Sequence, residues 1–315
     1  MSFSSRIVLT ALEERDSIFS KNDRNSKKLF LIVDGNSYLY RAYYAFQKLP
    51  EKGLIYGFLM MLRSLLRRYP TELFLIVFDA PGENFRHRIS PEYKSNRPPI
   101  PDDLRVQRPI LVEILEKMKI PCLSLSDVEA DDVIGTLVKN YREKFDLVIA
   151  SNDKDLAQLV DEKVLLHREL NKSPLDSKGV EALFSVRPNQ ISEFLAIQGD
   201  SSDNIKGIPG VGPVTAAKWL QTYGNCDQII KSCGKIKGKA GTNLRANLER
   251  IPLNLRLTKI NCQVDIGNFD LNTCNEEVSF QDLRDLSILF KKLKLFQWAD
   301  SIDFLSTMAS IPIDL

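Results

Sequence analysis

Glu129, Asp131 and Asp132 lie within four positions, directly before an apolar helical pattern that runs through Leu137. Carboxylates at a helix N-terminus satisfy unpaired N–H groups and complement the macrodipole, which accounts for one or two of the three. The third adds like-charge repulsion with no structural return, so the stretch asks for a cation. Similar acids end three short apolar runs: Asp34 after residues 29–33, Asp79 after 73–78 and Asp153 after 147–150. A further pair, Asp200 and Asp203, stands in GDSSDN at 199–204; this composition suits a plain turn as well as a second ion. With only 2 histidines and 5 scattered cysteines, the available donors are oxygens, which select Mg²⁺ or Mn²⁺ over zinc. Crowded carboxylates need such an ion, because like charges raise one another's pKa. Phosphoryl transfer is the reaction class most often built this way, with two ions roughly 4 Å apart that activate water and stabilise the leaving oxygen.

Basic and aromatic residues supply the complement. Arg41 sits among four tyrosines in SYLYRAYYAF, where it can meet a phosphate while the rings stack on bases; the same helix also reads as a core-facing aromatic face. FRHRISPEYKSNR at 85–97 places Arg86, Arg88, Lys94 and Arg97 around Phe85 and Tyr93. Because it leaves directly from Asp79, it reads as a phosphate-handling segment above the metals rather than a solvated loop. In GIPGVGPVTAAKW at 207–219, the glycines permit a tight hairpin between short helices, with backbone N–H groups turned to a phosphate. Such a hairpin grips a nucleic-acid backbone without reading bases, so binding is salt-sensitive and sequence-tolerant. Lys218 is a phosphate contact or an ordinary surface lysine, and KIKGKAG at 235–241 adds a basic loop.

These residues need elements to hold them. The runs at 29–33, 73–78, 120–125 and 147–150 predict buried strands, and helical patterns at 38–46, 57–68, 106–118 and 132–141 lie between them. That alternation predicts an α/β fold with a mostly parallel sheet flanked by helices. Ligands of such sheets bind outside the carboxyl ends of the strands, the rim to which Asp34, Asp79 and Asp153 are delivered. A length of 315 residues suits two domains, or one with an appendage. No window approaches a membrane span, and the net charge of +2 says little about nucleic acid. The odd cysteine count without a secretory signal indicates reduced thiols. Residues 1–28 read as a flexible or loosely helical extension. Its bases and serines suit a transit peptide, yet Glu13, Glu14, Asp16 and Asp23 interrupt it. The compartment is therefore the bacterial cytoplasm or, alternatively, an organelle.

The segments LFLIVDGNSYLYRAYYA, IVFDAPGENFRHRISPEYKSNRPPIPDDLR, VEADDVIGTL, ASNDKDLAQLV, QGDSSDNIKGIPGVG and LNLRLTKINCQVDI together resemble the 5′-nuclease family, the relatives of flap endonucleases. They are most similar to the N-terminal 5′→3′ exonuclease domain of bacterial DNA polymerase I, here as a stand-alone nuclease. The resemblance implies a PIN-like α/β nuclease core at 29–190 with an arch at about 83–105. It also implies a C-terminal helical DNA-binding lobe at 191–315 with a helix–hairpin–helix at about 205–222. Asp34, Asp79, Glu129, Asp131 and Asp132 match the first metal cluster of the family; Asp153, Asp155, Asp200 and Asp203 match the second. Arg41, Lys94 and Arg97 match the basic residues that steer the scissile phosphate. Tyr40 and Tyr43 stand where substrate stacks, and Arg86 joins the DNA contacts. Gly210 and Gly212, with Thr215 and Lys218 beyond them, match the helix–hairpin–helix, which in relatives also holds a monovalent cation such as K⁺.

The activity implied is two-Mg²⁺ (or Mn²⁺) hydrolysis of DNA and RNA-primer phosphodiesters at 5′ ends or 5′ flaps of single-strand/duplex junctions. Its setting would be primer removal and repair, by a monomer working beside a separate DNA polymerase. The sequence departs from the family pattern at Pro213-Val214, where a charged pair usually precedes Thr215. Pro suits the first turn of a helix, but a basic phosphate contact is lost. The alternative reading is a catalytically silent junction-binding protein of the same fold. A toxin-like ribonuclease or a small-molecule phosphatase would leave the hairpin and basic segment without purpose.

Overall fold

The computed structural model describes residues 3–12, 29–49, 51–71, 73–267 and 269–310. The chain divides into two compact units, one made of residues 1–78, 100–124 and 267–315, the other of residues 79–99 and 125–266.

In the first unit, β2 (Leu29–Asp34), β3 (Phe74–Val77) and β4 (Cys122–Leu123) pair in parallel in the order β4-β3-β2. Phe30 to Val33 and Phe74 to Val77 have no solvent exposure. Their unbroken apolar runs follow from a parallel strand being covered on both faces. The helices α2 (Gly35–Ala45), α3 (Gly53–Arg68) and α5 (Asp102–Lys117) belong to the same unit. Leu54, Ile55, Phe58, Leu62 and Leu65 form the buried stripe of α3 at helical spacing. The first turn of α3 is tied to α5 by the buried Gln107 side chain, which accepts from the Leu54 N–H at 3.1 Å. Helices α13 (Phe280–Lys292) and α14 (Phe296–Ser310) pack on each other, and Trp298 stacks on Tyr56 of α3 with centroids 5.0 Å apart.

The N-terminal stretch corrects the expectation of a flexible tail. Over residues 3–12, β1 (Phe3–Ser4) pairs antiparallel with β9 (Glu277–Val278), and α1 (Ser5–Thr10) follows. Phe3, Val8, Leu9, Ala11 and Leu12 are buried, so these apolar positions belong to a core. The rest of that expectation, at residues 13–28, falls outside the described residues.

The second unit opens with α4 (Phe85–Ile89), continues through α6 (Ala130–Tyr141), and contains the parallel pair β5 (Asp146–Ala150) and β6 (Val164–His167). β6 is absent from the sequence expectation, because four residues of VLLH between Lys163 and Arg168 are too few to show a period. The remainder is helical: α7 (Ser177–Phe184), α8 (Ile191–Gln198), α9 (Pro213–Tyr223), α10 (Cys226–Lys231), α11 (Gly238–Arg245) and α12 (Arg250–Thr258). Among the described residues, no helix of either unit is long and apolar enough to cross a membrane.

Between α8 and α9 runs an antiparallel ribbon of β7 (Gly199–Asp200) and β8 (Ile205–Lys206), then the glycine-rich turn. The buried Asn254 amide of α12 pins this ribbon, donating to Ala196 O at 2.8 Å and Lys206 O at 3.0 Å. Gly199 has φ +84°, and a methyl there would collide with the backbone of Gly207 and Ile205. Gly199→Ala is therefore expected to cost about 2 kcal/mol, read as a lowered denaturant midpoint. Gly210 likewise has φ +74°, and Pro213 opens α9 in its first turn, where its missing N–H costs nothing.

Candidate metal centre

Asp155, Asp200 and Asp203 each offer a carboxylate oxygen, and these three atoms all lie within 4.8 Å of one another. Asp155 starts the single turn that follows β5, with its N–H bound to Asp153 Oδ1 at 2.9 Å. Asp200 ends β7, and Asp203 stands in the turn of the same ribbon. Asp155 Oδ1 is buried with no hydrogen-bond partner. Burial, then the neighbouring Asp153 charge, pushes the Asp155 carboxyl well above the usual range. Asp200 goes the other way: burial opposes its charge, but hydrogen bonds from Lys154 and Ser202 outweigh it and lower the pKa. A buried carboxylate oxygen without a hydrogen bond, close to two more carboxylates, fits a hard divalent cation. Asp153 is spent in part on the turn and lies outside the group of three.

A second set of acids surrounds the start of α6. Asp79 follows β3 in the chain, and its carboxylate accepts from the Ala130 N–H at 2.8 Å; burial raises its pKa. Glu129, the residue before α6, is buried and accepts from Lys94 Nζ at 2.6 Å, the Tyr93 hydroxyl at 3.0 Å and Asn84 Nδ2 at 3.1 Å. Burial alone would raise the Glu129 pKa, but Lys94 and Arg86 together bring it below the usual range. Asp131 occupies the first turn of α6, half-buried. Asp79, Gly82, Asn84, His87, Lys94, Arg97 and Glu129 are among the residues lining a cavity of about 150 Å³.

Basic side chains are locked into this arrangement. Lys94 Nζ stands 3.9 Å from Asp203, and Arg97 donates to Asp203 Oδ1 at 2.6 Å. Lys94 adopts φ +55°, with its N–H on Asp203 O, so the backbone as well as the side chain ties the segment to the ribbon. Tyr93 is missing from the sequence expectation of site residues. Its hydroxyl stands 3.0 Å from both Glu129 Oε2 and Asp203 Oδ2. Its one proton therefore serves two acid groups, and burial raises its pKa. The aromatic in PEYKSN was a visible signal, but nothing in the sequence pairs it with two acids separated from it by 36 and 110 positions.

Two of the expected site residues are buried against partners within the protein. Arg86 is 2 % exposed and its guanidinium is fully engaged. It binds Asp132 through two hydrogen bonds of 2.6 and 2.8 Å, and donates to Leu257 O and Lys259 O. Asp132 has no exposure, and besides Arg86 it accepts from the Asn261 N–H at 2.8 Å. These contacts tie Asp132 to α4 and to the segment after α12. Helical periodicity puts Asp132 one residue beyond Asp131, on the inward face, and that turn separates their fates.

The remaining candidates are placed as follows. In the first unit, Asp34 is buried at the end of β2 and caps α2 by accepting from the Ser37 N–H at 3.0 Å. Tyr38 is core, whereas Tyr40 is exposed. Half-buried Tyr43 packs edge-on against the exposed Tyr44, and Arg41 is half-buried on the same helix. In the second unit, Gly210 and Gly212 form the turn before α9, Thr215 is half-buried and Lys218 is exposed on α9. Val214 is 82 % exposed.

Acidic groups set beside parallel strands, with lysine and arginine held against them, define an α/β phosphodiester hydrolase. Residues 29–185 match the family described as 5′-3′ exonuclease, N-terminal resolvase-like domain, and residues 186–279 match 5′-3′ exonuclease, C-terminal SAM fold. The 5′-3′ exonuclease of Aquifex aeolicus is 37% identical over 289 residues, 90% of this chain and 98% of that protein. The DNA polymerase I of Pseudomonas aeruginosa is 38% identical over 291 residues, 88% of this chain but 32% of the polymerase. This chain belongs to the 5′-3′ exonuclease family. Among solved structures, T5 5′-exonuclease with bound zinc ions shares the fold, with TM-score 0.64 and 22% identity over 88% of this chain and 99% of that one. The catalytic core of Rad2 in complex with a DNA substrate shares it too, with TM-score 0.57 and 16% identity over 94% and 92% of the two chains.

Proposed function

We propose that this nuclease cuts DNA, and RNA primers on DNA, near 5′ ends and 5′ flaps at single-strand/duplex junctions, using two Mg²⁺ or Mn²⁺ ions. The observation that carries the reading is the group of Asp155, Asp200 and Asp203, with its buried Asp155 Oδ1 that accepts no hydrogen bond, beside the fixed cations Lys94 and Arg97. Asp155, Asp200 and Asp203, with Asp153 behind them, would hold one ion. Asp79, Glu129 and Asp131 would hold the other. When bound, such ions supply an activated water and stabilise the leaving oxygen. Lys94 and Arg97 neutralise charge on the scissile phosphate. Tyr93 keeps its proton between Glu129 Oε2 and Asp203 Oδ2, which holds both carboxylates in place. Tyr40 and Tyr43 offer stacking faces for unpaired bases.

The glycine-rich turn at Gly210 and Gly212, with Thr215 and Lys218, takes the duplex backbone, and K⁺ is its candidate cation. The reading draws support from a T5 flap endonuclease described in complex with DNA and metal ions and from the DNA polymerase I relatives. On it, the protein is a monomer working beside a separate DNA polymerase in primer removal and repair. Its compartment is the bacterial cytoplasm, or an organelle if residues 1–28 serve as a transit peptide.

A labelled 5′-flap duplex incubated with Mg²⁺ or with EDTA, beside Asp131→Ala, tests this. Cutting near the junction should require Mg²⁺ and vanish in the variant. Binding without cutting under every metal condition would instead make the protein a silent junction binder.

A further inference from the structure

A cation of the chain itself already sits beside Asp155 and Asp200 of the second unit. Lys154 lies between Asp153 and Asp155 in sequence, and its Nζ reaches across to Asp200 Oδ2 at 2.6 Å and Ser202 Oγ at 3.3 Å. It stands 3.7 Å from Asp155 Oδ1, an ion pair that leaves that oxygen without a hydrogen bond. A monovalent ammonium thus hydrogen-bonds one acid of the group and meets the other by charge alone. The side chain is 31% exposed, and it lines two cavities of about 680 Å³ each. One is bounded by Asp200, Ser202, Gly212 and Pro213, the other by Phe194, Val214 and Lys218.

We infer that Lys154 is the resident cation of the Asp155–Asp200–Asp203 group and sets its affinity for a divalent ion. To bind there, the ion must take Asp200 from the ammonium, which then moves into a flanking cavity. The exchange makes no covalent change. It rests on reading this acid group as a divalent-metal site. Its physical content is a charge balance: Arg97 answers Asp203, Lys154 answers Asp200 and stands near Asp155, and an ion that binds through Asp200 must first displace Lys154. Affinity is thereby reduced, while the metal-free protein is spared the repulsion of Asp155 and Asp200 left without a cation. Sequence spacing hints at nothing of this kind, since the lysine's partner lies 46 residues away.

Mn²⁺ titration by calorimetry on the full chain, wild type against Lys154→Met, tests the exchange. The weaker of two binding events should tighten by about tenfold or more in the variant, because removing a unit charge a few ångströms away is worth at least that much. The other binding event should not move. The metal-free variant should also melt at a lower temperature than wild type, with the gap closing when Mn²⁺ is added. A purely structural lysine would weaken ion binding when removed, not strengthen it.

If Lys154→Met does not fold, the wild type answers by itself. Its lysines are acetylated with an amine-reactive ester with and without Mn²⁺ and read by mass spectrometry. Lys154 should become more reactive as Mn²⁺ saturates the site, while Lys218 stays constant. Unchanged or weaker Mn²⁺ binding in the variant, or a Lys154 amine indifferent to Mn²⁺, would overturn the exchange alone. No Mn²⁺ binding by either protein would overturn the metal reading of the group, and the exchange with it.

Discussion

Asp155→Asn should raise the melting temperature of the metal-free protein while lowering its nuclease rate by about 10³-fold. Both effects come from one atom. Asp155 Oδ1 is buried without a hydrogen-bond partner, and its carboxyl is pushed well above the usual range by burial first and by Asp153 next. An amide carries no charge to desolvate or repel, so removing the charge relieves the folded state by about 2 °C or more in a melt recorded in EDTA. The same change withdraws one of three oxygens that lie within 4.8 Å of one another, and a divalent ion supplies several kcal/mol of charge stabilisation in such reactions. In excess Mg²⁺ the stability gap should narrow, because only the wild type then gains fully from binding the ion in its folded state. Melting curves with EDTA and with Mg²⁺, set beside single-turnover cleavage of a 5′-ended duplex, give both readings. A variant that loses stability in EDTA would show Asp155 to be a structural carboxylate instead.

Arg86→Ala should destabilise the protein by about 3–5 kcal/mol, the cost of leaving a buried charge without its partner. Asp132 would lose two hydrogen bonds, and the carbonyls of Leu257 and Lys259 would lose their donor. Burial disfavours the Arg86 charge, but Asp132 and Glu129 more than restore it, and its pKa is raised. The damage should extend beyond the pair, because Arg86 also stands 3.1 Å from Glu129 and its segment carries Tyr93, Lys94 and Arg97. The paired change of Arg86→Met with Asp132→Leu should recover only part of the loss. It removes both charges, which alone can be neutral, but it orphans the Asn261 N–H and both carbonyls. Urea denaturation of the two variants measures this. Equal stability of Arg86→Ala and the wild type would show the ion pair to be idle.

Much of this molecule was determined locally. Continuous apolar runs ending in Asp34, Asp79 and Asp153 marked buried parallel strands, because a strand covered on both faces has no polar side to alternate with. The rim acids, the basic segment at 85–97 and the glycine turn were all visible in residue type and spacing. Short or charged-flanked pieces escaped. β6 has too few residues for a period, and residues 3–12 read as a tail because their partner, β9, begins more than 260 positions later.

Which member of each charged cluster is buried against a distant residue is settled by folding. Glu129, Asp131 and Asp132 are equivalent as letters, yet the helix turns Asp132 into the interior against Arg86. Arg86 and Arg97 share one basic stretch, and only Arg97 reaches Asp203. Lys154 is one charge in SNDKD until the ribbon of Gly199 to Lys206 brings Asp200 to it. Charge type and helical or strand period are properties of neighbours in the chain. Pairing, burial and the resulting pKa shifts depend on contacts between residues far apart in sequence, and those exist only once the chain is folded.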